Sequence, residues 1–187
     1  MKHPLYSILF FTVLMTTPIY SSALDEQSTW NRGRELYYQG LKDEGALENA
    51  LNIFNDLVQR GYREGVALTY QGSLTALKAQ YVFWPQKKLS YAKEGLQLMD
   101  QGLALSKNDP EALFIHGTTC YYLPFFFNRN DDAHQSFKKI IDILPDHLEN
   151  HDPQLTRNML NFIIENAEIN NDERRKTLDM MEKLDEL

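Results

Sequence analysis

Residues 133–145 of the chain have the sequence AHQSFKKIIDILP, and this stretch determines the fold. Ala133, Phe137 and Ile140 are spaced by four and then three positions, which places them on one face of a helix, and Pro145 follows five positions later. The same spacing occurs twice earlier in the chain, in Ala50, Phe54, Leu57 and Tyr62 and in Gly95, Met99, Gly102 and Lys107. A helix with such a face buries it only against neighbours, so three copies predict an array of stacked helical repeats.

Helical periodicity runs nearly from end to end of the chain. Asp109-Pro110 and Asp152-Pro153 are typical of helix starts, because aspartate caps free N–H groups and proline suits the first helical position. Gly61 and Pro145 are typical of helix ends. The predicted helices are Trp30–Gln39, Glu44–Arg60, Glu64–Val82, Pro85–Ser106, Pro110–Leu123, Asp132–Leu144, one from Pro153 to the break at Asn170, and a last one carrying Leu178, Met181 and Leu184.

The first 23 residues are typical of a secretory signal peptide. Lys2 gives a basic start, residues 5–15 are almost all apolar, and Ser21-Ser22-Ala23 is a small-residue site, so cleavage is expected after Ala23. The alternative is an uncleaved membrane anchor, but the apolar run is short for a span of roughly 20 residues. Residues 24–187 are expected to form a single exported domain, periplasmic or secreted.

Composition excludes several classes of protein. The formal net charge is −7 and the chain has no basic patch to match a phosphate backbone, which disfavours nucleic-acid binding. Cys120 is the single cysteine, so an intramolecular disulfide is impossible. Its apolar sequence context favours a buried, inert thiol over a reactive one.

The three units resemble the tetratricopeptide repeat family. That family has a small residue midway along one helix, then Ala, a large aromatic residue and a second Ala on the next helix, then Pro. The best match is Gly117 with Ala133, Phe137, Ile140 and Pro145, and Gly33 and Gly72 precede the two degenerate units. The resemblance covers about residues 30–146. It implies an all-α fold of antiparallel helix pairs stacked as a short α-solenoid, with a C-terminal helical cap over 153–187.

The chain departs from that family in the spacing within each unit. We call the helical residues at the repeated spacing the ladder of each unit, namely Ala50, Phe54 and Leu57, then Gly95, Met99 and Gly102, then Ala133, Phe137 and Ile140. The small residue precedes the first ladder residue by 17, 23 and 16 positions, counted from Gly33, Gly72 and Gly117, and all three spacings are longer than the family's. The helices must therefore be longer, or the turns must carry inserts. We expect inserts at residues 79–85 and 123–128. In the middle unit, Gly95 and Gly102 replace the usual alanines and permit close helix approach.

The two expected inserts are rich in aromatic residues, and the repeat spacing should bring both to the same edge of the array. One interpretation is that their rings pack together as an auxiliary core. The other is an exposed anchoring patch for a partner. Neighbouring Lys87, Lys88 and Arg129 could hold an acidic group or simply form a solvated rim. The candidate partner-binding residues are Tyr81, Trp84, Phe125, Phe126, Phe127 and Arg129.

Motifs for catalysis and metal binding are lacking in the sequence. It has no G-x-S-x-G, no phosphate loop and no glycine fingerprint, so no catalytic residue and no cofactor is predicted. His147 and His151 are four positions apart, but two prolines flank them, and a polar loop is favoured over a metal site. Glu64 and Glu111 stand in predicted first turns, where the helix dipole explains a carboxylate.

The resemblance implies a non-enzymatic protein that recognises a protein or peptide. We expect an adaptor or assembly factor for an envelope complex, with membrane contact only indirect. The alternative is a protein that binds a small molecule or ion in an aromatic pocket between helices. A groove lined by Asn, Arg and Tyr would favour the first function. A closed aromatic cavity with a few polar groups would favour the second.

Export yields the first testable prediction. Because the basic start, the apolar run and the small-residue site coincide, N-terminal sequencing of the protein from its native host should begin at Leu24. An intact Met1 on a membrane-bound species would contradict it.

Overall fold

The computed structural model describes residues 19–186, with side chains from Leu24 onward. Within that range the chain forms eight α-helices and no β-strand, so the predicted all-α class is confirmed. The helices are α1 (Ile19–Gly40), α2 (Glu44–Gln59), α3 (Glu64–Leu77), α4 (Pro85–Leu105), α5 (Pro110–Tyr122), α6 (Asn130–Ile143), α7 (Pro153–Asn166) and α8 (Asn171–Asp185).

Three of the predicted helix boundaries were wrong by several residues, one of them the end of α7, which lies at Asn166 rather than at the break at Asn170. Helix α1 begins at Ile19 rather than Trp30, so the expected cleavage site lies within its first turns, while most of the predicted signal peptide lies outside the described residues. Helix α3 ends at Leu77 rather than Val82, and a 3₁₀ turn follows. Pro85 holds Trp84 in extended conformation (φ −76°, ψ 125°), so the helix had to end before residue 84, but the change to 3₁₀ geometry at residues 78–80 ends it earlier still.

The helix starts follow from local capping. Asp109 accepts a hydrogen bond from the Glu111 N–H at 2.8 Å, and Asp152 accepts one from the Leu155 N–H at 2.9 Å. Asn170 begins α8 with a reciprocal capping box that includes Glu173. Both predicted Asp-Pro start signals are thus confirmed.

The helices pack as consecutive pairs: α1 on α2, α3 on α4, α5 on α6, and α7 on α8. Contacts of α3 with α1, α2 and α5 join the first three pairs, and α6 contacts α8. The first helices of the first three pairs are therefore neighbours in space, and their C-terminal ends lie on one side of the molecule.

A glycine sits at the contact point within each of the first three pairs. A Cβ on Gly117 would lie 2.7 Å from Phe137 Cε1, and one on Gly33 would lie 3.1 Å from Phe54 Cζ. Gly72 and Gly95 face each other so closely that a Cβ on either would collide with the carbonyl oxygen of the other. The expected close approach of α3 and α4 is confirmed. Each small residue meets the ladder that the sequence assigned to it.

The core is built from the ladder positions. All nine helical ladder residues are buried, from Ala50 in α2 to Ile140 in α6. An aromatic cluster fills the first two pairs, where the rings of Phe54 and Tyr70 stack at 4.4 Å and Trp30 meets both rings edge-on. The predicted burial of Phe137 beside Ala133 and Ile140 is also confirmed.

Removing the Phe137 ring tests this packing. Phe137 is 1% exposed, and its ring lies 5.7 Å from that of Phe162 in α7. Phe137→Ala should therefore lower the free energy of unfolding by roughly 3–5 kcal/mol in urea denaturation. Phe125→Ala is the control, because that ring is 85% exposed and its loss should cost less than about 0.5 kcal/mol. Equal effects of the two substitutions would refute the ladder assignment.

Candidate functional site: an apolar cavity beside two aromatic turns

A cavity of about 750 Å³ opens on the side where the C-terminal ends of α1, α3 and α5 meet the start of α4. The turn between α5 and α6 and Phe162 of α7 complete its wall. The lining is almost entirely apolar, as Leu41, Leu77, Leu89 and Phe114 illustrate. We call this space the apolar cavity. Its volume lies in the range of about 300–1,000 Å³ typical of ligand pockets.

The two aromatic turns, which are the expected inserts at residues 79–85 and 123–128, lie at this cavity, as the repeat spacing predicts. Pro85 from the first turn and Pro124 from the second both contribute to its wall. Each proline limits a helix, so the neighbouring aromatic residues project from an irregular turn and cannot all enter the core. Among the described residues, each aromatic ring pair of these turns joins two rings of the same turn. Phe83 pairs with Trp84 in the first turn, and Phe126 pairs with both Phe125 and Phe127 in the second.

The predicted partner-binding aromatics occupy different parts of the site. Phe126 and Phe127 line the apolar cavity. Trp84 and Phe125 stand beside it and are 62% and 85% exposed, so these two rings do not belong to an auxiliary core. We use "aromatic edge" for the exposed rings around the opening, namely Phe83, Trp84, Tyr122, Phe125 and Phe126.

Tyr81 and Arg129 make internal contacts instead. The Tyr81 hydroxyl donates to the Gly40 carbonyl at 3.0 Å and ties the first turn to the end of α1. The Arg129 guanidinium pairs with Asp100 of α4 (Nη1–Oδ2 3.2 Å) and with Asp132 of α6 (Nε–Oδ2 2.8 Å). Arg129 is therefore engaged by carboxylates of this chain.

A row of buried hydroxyl groups forms the polar part of the cavity wall. The Tyr37 and Ser73 oxygens are 3.0 Å apart, and those of Ser73 and Thr119 are 2.8 Å apart. Thr119 donates its proton to the Ile115 carbonyl at 2.8 Å, so it must accept from Ser73, which in turn must accept from Tyr37. Burial raises the pKa of Tyr37, so its hydroxyl keeps its proton at neutral pH.

Charge is confined to one side of the cavity opening. Lys88 is the one charged residue among the described residues that line the cavity. Lys87 precedes it, and the first turn of α4 contains no acidic residue. Trp84 supplies no side-chain cap to this turn. The opening is therefore locally positive, although the chain as a whole is acidic.

A second polar cluster lies between α4, α5 and α6. His116 Nδ1 is 2.9 Å from Ser136 Oγ, and His116 Nε2 is 3.1 Å from Asp100 Oδ1. The residue types are those of a catalytic triad, but the two ring nitrogens are exchanged, since a triad has Nε2 toward the serine and Nδ1 toward the aspartate. Ser136 and His116 are also each 3% exposed, and neither lines the cavity. Cys120 is fully buried beside them, and burial raises the pKa of its thiol to about 11. The expected burial of Cys120 is confirmed.

The His116 cluster predicts a loss of stability in mild acid. Burial lowers the pKa of His116, although the hydrogen bond to Asp100 opposes this. As the pH falls below the ordinary value of about 6.5, the unfolded chain takes up the proton first, so the free energy of unfolding falls. Urea denaturation at about pH 7.5 and about pH 5.5 should show a smaller loss in His116→Gln than in the wild type.

His151 requires a control in that experiment. Its pKa is also lowered by burial, so it contributes a loss of the same sign. His151→Gln measures that share separately. If His116→Gln has the same pH dependence as the wild type while His151→Gln abolishes it, the assignment to His116 is wrong.

The sequence did not predict one buried polar site, which is centred on Glu111. Glu111, expected only to favour a helix dipole, is buried and accepts hydrogen bonds from the Tyr70 hydroxyl (2.8 Å) and the Arg63 guanidinium (3.0 Å). Arg34 Nε lies 3.1 Å from Glu111 Oε1, the oxygen that also accepts from Tyr70, while Arg63 bonds Oε2. No sequence signal pointed to this role, because Arg63 is 48 positions from Glu111 and its left-handed backbone (φ 44°) is visible only in the structure.

Neither a metal-binding cluster nor a membrane-spanning helix occurs in the part of the chain that the structure describes. Within residues 19–186, His147, His151 and the other possible ligands form no group of three or more that could hold a metal ion. None of the described helices combines the length and apolar character needed to cross a bilayer. Family models, curated proteins and solved structures yield no match to this chain.

Proposed function

We propose that this chain is an exported, non-enzymatic binding protein with a tetratricopeptide-like α-solenoid fold, and that it holds an apolar ligand in the apolar cavity. The pairing of consecutive helices, the glycine at each contact and the buried ladders support the solenoid. The pair α7 and α8 would act as the C-terminal cap that such arrays need.

The apolar cavity is the observation that carries the ligand proposal. A soluble protein that leaves about 750 Å³ of apolar space open to solvent forgoes the packing that stabilises most interiors. An occupant that removes Leu89, Phe126 and Phe162 from water would recover about 25 cal/mol for each Å² of apolar surface buried. The small-ligand alternative called for a closed aromatic cavity with a few polar groups. This cavity has apolar walls and few polar groups but opens to solvent, so it meets that criterion in part.

The adaptor function is the second candidate, and the aromatic edge favours it. Phe83 and Phe125 are more than four-fifths exposed and do not line the cavity, so a ligand confined there would leave both rings in water. Exposed apolar patches of this kind commonly mark protein interfaces. A partner protein of an envelope complex could cover the edge with its own apolar residues.

An uncharged fluorescent probe tests the proposed cavity. N-phenyl-1-naphthylamine should bind the wild-type protein, and Leu89→Ser with Phe126→Ser should weaken that binding at least about tenfold, which is about 1.4 kcal/mol. Both side chains line the cavity and are partly exposed, so folding in urea should change little.

The matched control is Leu105→Ser with Leu178→Ser, which removes two leucines that are exposed to a similar degree but lie outside the cavity. It should bind the probe like the wild type. Absence of probe binding, or equal weakening in both double variants, would overturn the small-ligand function. If a protein from envelope extract displaces the probe from the wild type alone, the adaptor function is supported instead.

A further inference from the structure

We propose that the ligand of the apolar cavity is an anionic amphiphile, a molecule with an apolar chain that lies inside the cavity and a terminal carboxylate or phosphate that lies at Lys88. This inference rests on the proposed function and specifies its ligand class. Three features of the cavity lead to it: the apolar walls, the direction of the hydroxyl row, and the charge at the opening.

The walls select the body of the ligand. Aliphatic and aromatic side chains from α1, α3, α4, α5 and α7 surround the space. A charged group moved into such surroundings loses its hydration without gaining a partner of opposite charge, which costs several kcal/mol. The part of the ligand that lies within the cavity is therefore apolar.

The hydroxyl row excludes an anionic head from the buried side. Tyr37 donates to Ser73, Ser73 donates to Thr119, and Thr119 donates to a backbone carbonyl. Thr118, which also lines the cavity, donates to the Phe114 carbonyl at 2.8 Å. All four protons are committed, so these oxygens present lone pairs to the cavity. A carboxylate or phosphate would find no free proton along this row, and the other uncharged lining side chains that carry donors, Tyr38, Gln80 and Tyr122, are all exposed.

The positive charge that an anionic head group needs as a partner is found at the opening. Lys88 lines it and Lys87 is adjacent, and neither forms an ion pair with a described residue. Nearby Lys78, by contrast, is already paired with Glu48 at 2.7 Å. The uncapped first turn of α4 adds the positive end of a 21-residue helix to the same place. The net charge of −7 does not oppose this, because distant charges are screened beyond about 8 Å at physiological salt.

Three amphiphiles with the same chain length separate the contributions of tail and head. Dodecanoate, dodecyltrimethylammonium and dodecanol are titrated into the purified protein by calorimetry, the two ions below their micellar concentrations and the alcohol below its solubility limit. Trp84 fluorescence gives a second readout, because this indole stands beside the opening. We expect dodecanoate to bind at least about tenfold more tightly than the cationic amphiphile, with dodecanol between them. Dodecyl phosphate then decides between a carboxylate and a phosphate head.

Charge reversal at the opening tests whether the anionic head lies at Lys87 and Lys88. Lys87→Glu with Lys88→Glu should weaken dodecanoate binding at least about tenfold and strengthen dodecyltrimethylammonium binding, while dodecanol binding stays unchanged. The control Lys93→Glu with Lys139→Glu makes the same change in net charge at two exposed lysines outside the cavity, and it should leave the order of affinities unchanged.

The outcomes separate this inference from the proposed function. If all three amphiphiles bind equally and the Lys87/Lys88 variant changes nothing, the cavity binds apolar ligands but the anionic head is refuted. If the cationic amphiphile binds best, the inference is likewise overturned. If none of the three binds, and the uncharged probe fails as well, the proposed function falls together with it.

Discussion

One buried carboxylate fixes how the first three helix pairs stand against each other. Glu111, at the start of α5, is bonded by Arg63 and Tyr70 from the second pair and by Arg34 from α1. Arg34 also lies 3.8 Å from Asp152 at the start of α7. A buried charge left without partners costs about 3–5 kcal/mol, so the helices keep the register that satisfies it. This register in turn sets where their C-terminal ends lie, and the apolar cavity is the space between those ends.

The sequence was sufficient for the helices and for their pairing, because both depend on local patterns. The ladder around Phe137 lies within four turns of one helix. Gly117, the glycine that faces it, lies in the helix just before it in the sequence. Asp109 and Asp152 cap helices through contacts two or three residues away. The role of Glu111 was out of reach for the same reason, since its partner Arg63 is 48 positions away.

The candidate site was predictable only in part. Two proline-limited aromatic turns at equivalent points of neighbouring units imply a shared edge, and the structure has both at the apolar cavity. The cavity itself is a shape between five helices, and no sequence pattern encodes a volume. Arg129 was expected at the rim because it follows three phenylalanines, but Asp100 of α4 engages it across the interface with the neighbouring pair. Side chains from Tyr37 to Phe162 meet there through tertiary packing alone.

The cavity draws its wall from all four helix pairs, from Tyr37 in the first to Phe162 in the last. In a protein built of consecutive pairs, each pair is stabilised mainly by its neighbours, and the ends open more readily than the middle. A molecule held in the cavity touches the first and last pairs at once and so couples units that have little direct contact. For the proposed solenoid, a ligand bound in the cavity would convert stepwise opening from the ends into a single cooperative unfolding transition, and the gain in stability would grow with the logarithm of ligand concentration.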